Sequence, residues 1–115
     1  MKLFDDTLTQ LQTALDVRLM KQNVLAGNLA NVDTPGYQPT DVDFDQAMSA
    51  AAKGSDLTRA IVPAAGEGAG LDGNGVDLDQ TMVALAENGL QYGAVARTAS
   101  KKLAILKYVA NDGNG

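Results

Sequence analysis

The stretch Val76–Ala110, VDLDQTMVALAENGLQYGAVARTASKKLAILKYVA, decides the fold. Leu78, Met82, Leu85, Gly89, Tyr92, Ala96, Ala99, Leu103, Leu106 and Ala110 follow an unbroken 4-3 spacing. That spacing keeps one helical stripe facing a partner helix. Asp77 followed by Gln80 resembles a capping box with Asp in the cap position. The Gly- and Asn-rich residues 112–115 are read as a tail that stops a helix over 76–111. At ~1.5 Å per residue this helix is a rod about 50 Å long. Asp77 and Asp79 at its start, with Arg97, Lys101, Lys102 and Lys107 late, complement its dipole. The bland reading of that late basic cluster is a solvated helix end.

A second helix is expected within residues 1–32. Phe4, Leu8, Leu11, Leu15, Leu25, Leu29 and Val32 lie on one heptad series, interrupted at Arg18 and Gln22, where neighbouring Leu19 is expected to fill the gap. Residues 33–53 read as a turn, an extended segment and a short helix. Pro39 forbids helix in the extended part, and Asp43 with Gln46 offers a cap for a helix ending near Gly54. Residues 54–75, with Gly66, Gly68, Gly70, Gly73 and Gly75, read as a flexible Gly/Ala-rich linker.

Composition narrows the functions available. Aromatic residues make up only 4% of 115 residues, so a thick globular core is hard to build. With no His and no Cys the chain lacks the usual general base, the commonest metal ligand and any thiolate, which argues against an enzyme. A net charge of −5 disfavours nucleic acid, whose phosphates need Lys and Arg. No apolar run approaches the ~18–20 residues of a membrane span. Met1-Lys2-Leu3-Phe4-Asp5-Asp6 puts acids where a cleaved signal needs apolar residues, so no such signal is expected. Two long helices and a middle poor in large apolar residues make a marginal monomer. The expected escape is association with further copies or partners.

Asp41, Asp43 and Asp45 alternate like the first ligands of a calcium loop, but Gln46 and Ala52 stand where Gly and Glu are needed. Asp72-Gly73-Asn74-Gly75 fails likewise at Val83. The linker glycines lack the Lys-Ser/Thr of a phosphate cradle. No metal, cofactor or catalytic residue is therefore assigned, and the acids are read as solvated caps. Gly89 and Gly93, one turn apart, are read as permitting close approach of a soluble helix.

The informative run is Leu25–Tyr37, LAGNLANVDTPGY. Asn is a poor helix former whose amide both donates and accepts. Asn31 is expected to bond carbonyls freed at the helix end, and Asn28 to bridge to a neighbouring chain. Pro35 and Gly36 supply a turn, and Tyr37 anchors the returning strand with its hydroxyl in water. The run resembles the N-terminal signature of the flagellar axial proteins, the bacterial rod, hook and hook-junction subunits. Asn28, Leu29, Ala30, Asn31, Thr34, Pro35, Gly36 and Tyr37 match its elements. Asp41-Val42-Asp43-Phe44 and the C-terminal landmarks from Asp72 to Leu103 are similar to the proximal-rod B type. Gly75, where that type often has Thr, and Gly93 are small departures.

The resemblance implies an all-α fold whose long terminal helices pack as a coiled coil around an extended or flexible middle. Its core would comprise Leu8, Leu11, Leu15, Leu25, Leu29, Leu78, Met82, Leu85, Tyr92, Ala96, Ala99, Leu103 and Leu106. It further implies a non-enzymatic subunit of the proximal rod in the periplasmic space, carried there by type III export without a cleaved signal. The implied partners are neighbouring rod proteins, the adaptor joining rod to export gate, the export apparatus and further copies. Competing readings are another axial subunit, or a soluble coiled-coil adaptor or export chaperone that folds stably alone.

Overall fold

The structure, a computed structural model, describes residues 6–64 and 76–114. Within them the chain is mostly helical, with two three-residue strands in the segment between the long helices. The order is α1 (Asp6–Ala30), β1 (Thr40–Val42), α2 (Phe44–Ala52), a 3-10 turn (Leu57–Ala60), β2 (Ile61–Pro63) and α3 (Leu78–Asn114). Both expected caps form. The Asp43 carboxylate accepts from the Gln46 amide at 3.1 Å, and the Asp77 carboxylate from the Gln80 amide at 2.9 Å. These bonds satisfy amides that a helix start otherwise leaves unpaired. Gly54, at φ +68°, lets the chain leave α2. The expected stop before residue 112 does not occur, since α3 continues through Asn114. Once a helix is nucleated, each added residue gains a backbone bond at little cost.

Residues 54–64, expected as linker, instead carry the 3-10 turn and β2. Asp56 caps the turn, accepting from the Thr58 amide at 2.9 Å. The backbone and hydroxyl bonds from Thr58 hold the Asp56 carboxyl below the usual carboxylate range. β2 pairs antiparallel with β1, Asp41 opposite Val62. After Gly54 the next linker glycine is Gly66, whereas Ala60 in between is fully buried in the core. Residues 65–75 lie outside the described residues.

Helix α1 is the middle layer. Val17 is fully buried in a small core with Val42, Ala47 and Ala60, flanked by Met20, Val24, Phe44, Met48 and Ala51. The series Leu8, Leu11, Leu15, Leu25 and Leu29 runs two positions away from residues such as Val17, which on a helix is nearly the opposite side. That side packs along α3. With apolar residues on both sides, α1 shows no single wide stripe.

The break at Arg18 and Gln22 is filled across the helix interface. Asn88 of α3, 2% exposed, donates from Nδ2 to the Arg18 carbonyl at 2.8 Å and to Gln22 Oε1 at 2.9 Å. Its Oδ1 accepts from Arg18 Nη1 at 3.4 Å. The Arg18 guanidinium also stacks on Phe44, 4.5 Å from the ring centroid. Leu19, expected to fill this gap, is instead 50% exposed. It stands one position off the interface series, and a polar layer needs hydrogen-bonding groups that Leu lacks.

On α3 the covered series is Thr81, Leu85, Asn88, Tyr92, Val95, Ala99, Lys102 and Leu106, with Tyr92 the most open of these. It shares Leu85, Tyr92, Ala99 and Leu106 with the expected heptads and moves the alternate positions back by one. Leu78, Met82 and Leu103 therefore lie exposed on the single chain, while Ala96 is half-buried. A methyl group at Gly89 would meet nothing within 4 Å, and one at Gly93 would meet only the Arg97 side chain, so among the described residues no other helix packs against the α-carbons of that pair.

Candidate functional site

Asn28 and Asn31 are the most heavily hydrogen-bonded side chains near the end of α1. They build a clasp where α1 ends.

Helix α1 closes with the Asn31 backbone amide bonded to the carbonyls of Gly27 and Asn28, both at 3.2 Å. The Asn31 side chain then turns back, its Nδ2 donating to the Gly27 carbonyl at 2.8 Å. Its Oδ1 accepts from the Thr34 hydroxyl at 3.2 Å. Helix end and turn are thus tied by one side-chain amide, as expected for a residue offering both donors and an acceptor. Thr34, Pro35, Gly36 and Tyr37 form a turn closed by the Tyr37 amide on the Thr34 carbonyl at 3.2 Å. Pro35 suits the second position of a type II turn, and Gly36, at φ +75°, the third.

Asn28 carries the second half of the clasp. It is 4% exposed, and its Nδ2 donates to the Thr40 carbonyl at 2.7 Å. Its Oδ1 accepts from the Thr40 amide and from the Tyr37 hydroxyl, each at 3.1 Å. Along β1, Pro39 and Asp43 bond toward β2 through Ala64 and Ala60. In an antiparallel ladder the alternate residue Thr40 then points its backbone groups to the other edge. The Asn28 amide occupies that edge as a third strand's peptide would. The expected bridge from Asn28 to a neighbouring chain is corrected accordingly, because these amide bonds are made within the chain. The Tyr37 hydroxyl, expected in water, is likewise engaged by Asn28.

The remaining motif residues play supporting parts. Leu29 is half-buried on the α3-facing series, Ala30 is the exposed last residue of α1, and Pro35 is exposed at the turn. Among the acids, Asp43 caps α2, while Asp41 accepts from the Val42 amide at 2.7 Å and stands 3.9 Å from Lys21. Among the described residues no group of three acids converges as a metal site, and no helix is long and apolar enough to cross a membrane. The sequence reading gives no bonding role to two partners, Thr40 and Asn88, although Asn88 is among the landmarks of the resemblance. Thr40 contributes backbone only, which no motif reveals. Asn88 leaves a signal, a poor helix former within α3 to set beside the polar break in α1.

Gly36 gives a direct check of the turn. A methyl at Gly36 meets no atom within 4 Å, so Gly36→Ala suffers only from its positive φ. The expected loss is about 1 kcal/mol in urea unfolding, with a smaller loss for Gly36→Asn, because Asn tolerates this backbone region better.

Known proteins share this part of the chain and the rest of it. Residues 6–38 match the family model described as flagella basal body rod protein, a span running from the start of α1 to just past Tyr37. The flagellar basal body rod protein FlgB of Escherichia coli K12 is 33% identical, with 96% of each chain covered. FlgB of Bacillus subtilis 168 is 30% identical over 98% of this chain and 99% of its own. These relatives are named as rod proteins, not enzymes. Similarity at this level over nearly the whole of both chains places the protein in the FlgB family of flagellar basal body rod proteins.

Proposed function

We propose that the chain is a structural subunit of the proximal rod, linking the export-gate and MS-ring region to the distal rod and transmitting torque. It reaches that site by type III export and completes its folding as it is incorporated. Its partners are neighbouring rod subunits, the adaptor between rod and export gate, and further copies of itself. The observation that supports this reading is the uncovered length of α3. At 37 residues it outruns the 25-residue α1, and Met82, Val83, Leu90, Ile105 and Tyr108 are more than half exposed along it. An apolar surface of this extent is expected to be covered in an assembly. Ordering costs left unmet in the free chain would be offset by those contacts.

Two substitutions test the proposal. Leu85 is half-buried in the α1–α3 interface, whereas Leu103 is 36% exposed. Leu85→Asp and Leu103→Asp are both expected to abolish incorporation into purified hook–basal bodies while export continues. Only Leu85→Asp should also weaken the free chain's helix pairing. Normal motility in both variants would overturn the assembly role of these heptad positions. Absence of the 11.9 kDa chain from intact basal bodies of swimming cells would favour a soluble adaptor instead.

A further inference from the structure

We infer that Asn88 sets the register of the α1–α3 pair, selecting one of several alignments that the apolar residues alone would accept nearly equally. The interface series of α1 is Leu8, Leu11, Leu15, Arg18, Gln22, Leu25 and Leu29. It is leucine at every position except the two that meet Asn88. Sliding α3 by one heptad would set Asn88 against Leu11 and Leu15, or against Leu25 and Leu29. Either slip can replace the backbone carbonyl but takes away both side-chain partners, Gln22 Oε1 and Arg18 Nη1, and a buried amide that loses such hydrogen bonds is disfavoured. The native alignment gives its Nδ2 both the Arg18 carbonyl and Gln22 Oε1.

Three other members of the α3 series, Thr81, Val95 and Ala99, discriminate less. Val95 and Ala99 are small and apolar and fit opposite any leucine. Thr81 is buried, but its hydroxyl donates to the Asp77 carbonyl of its own helix end at 2.7 Å and asks nothing of α1. A single polar residue at a core position is an established way to fix helix alignment at some cost in stability. Arg18 extends the effect, because it meets Asn88 on one side and Phe44 on the other. The same polar layer therefore relates α3 to the start of α2 through α1. Asn88 is a positioning residue: it determines where the exposed residues of α3 stand along the subunit. This inference concerns the helix pair itself and holds whether or not the pair is built into a rod.

The chain has no cysteine, so spin labels can be placed cleanly in the full-length protein at Gln12→Cys and Glu87→Cys, both exposed. Pulsed electron paramagnetic resonance then reads the distance between α1 and α3. The labelled parent is expected to give one narrow distance. Adding Asn88→Leu, or Gln22→Leu with Asn88→Leu, should add a second population from pairs slid by about 10 Å, one heptad of helix. The double variant strands no Gln22 amide and should keep its helical circular dichroism even if Asn88→Leu alone unfolds. An unchanged single distance in the double variant would overturn the inference. So would loss of its helix content, or a parent that itself shows several distances.

Discussion

Val17→Asp is expected to detach the middle segment from α1 and to destabilise the chain by roughly 3–5 kcal/mol, the cost of an uncompensated buried charge. Val17 has no exposed surface and touches the core formed with Val42, Ala47 and Ala60. That core is small, so no second layer of apolar contacts can take over its role. Val17→Ala, which removes two methyl groups and leaves a cavity, should cost about 2–3 kcal/mol. Urea unfolding gives both values, and hydrogen exchange locates the damage. Amides of α2 and β1 should lose protection in Val17→Asp, while those of α3 near Asn88 lose less. Equal loss everywhere would show that the two faces of α1 unfold as one unit. An effect below about 1 kcal/mol for Val17→Asp would mean that the site is open to water.

The second large effect is expected at Asn28. Asn28→Ala removes three hydrogen bonds and leaves the Thr40 amide and carbonyl facing a methyl group. With unmet buried groups costing about 1–3 kcal/mol each, and some access for water after truncation, a net loss of about 2–4 kcal/mol is expected. Tyr37→Phe removes one of the three bonds and should cost about 1 kcal/mol. A double-mutant cycle between the two reads their coupling, since each acts through the same Asn28 oxygen. Additive losses would show that the Tyr37 hydroxyl contributes independently of Asn28. Faster exchange of the Thr40 amide in Asn28→Ala would identify the edge of β1 as the part released.

Much of the local structure is legible because its causes lie within a few residues. Asp77 and Gln80, or Asp43 and Gln46, meet within the first turn of a helix, and the Asn31 side chain reaches no farther than Gly27 and Thr34. Proline and glycine in Thr34–Tyr37 act on their own backbone angles. Asn28 is recognisable as part of a motif, yet its partner is not, because Thr40 contributes backbone groups that every residue possesses. The 54–64 stretch reads as linker for a related reason. Three-residue strands carry too little periodicity to be recognised alone, and β2 exists only because β1 lies beside it.

Two long helices, the start of α3, the turn that ends α1 and the lack of ordinary enzyme chemistry all follow from the order of residues along the chain. Each rests on short-range bonding or on composition. Which α3 residues face α1 depends instead on the folded pair. Two adjoining 4-3 stripes share Leu85, Tyr92, Ala99 and Leu106, and the apolar count favours the one containing Met82 and Leu103. The folded chain adopts the other, through Thr81, Asn88 and Val95, leaving Met82 and Leu103 exposed. Hydrophobic periodicity cannot separate stripes one residue apart when both are largely apolar or small. The hydrogen bonds of Asn88 to Arg18 and Gln22 join residues at least 66 positions apart, and only the assembled helix pair brings those groups within reach.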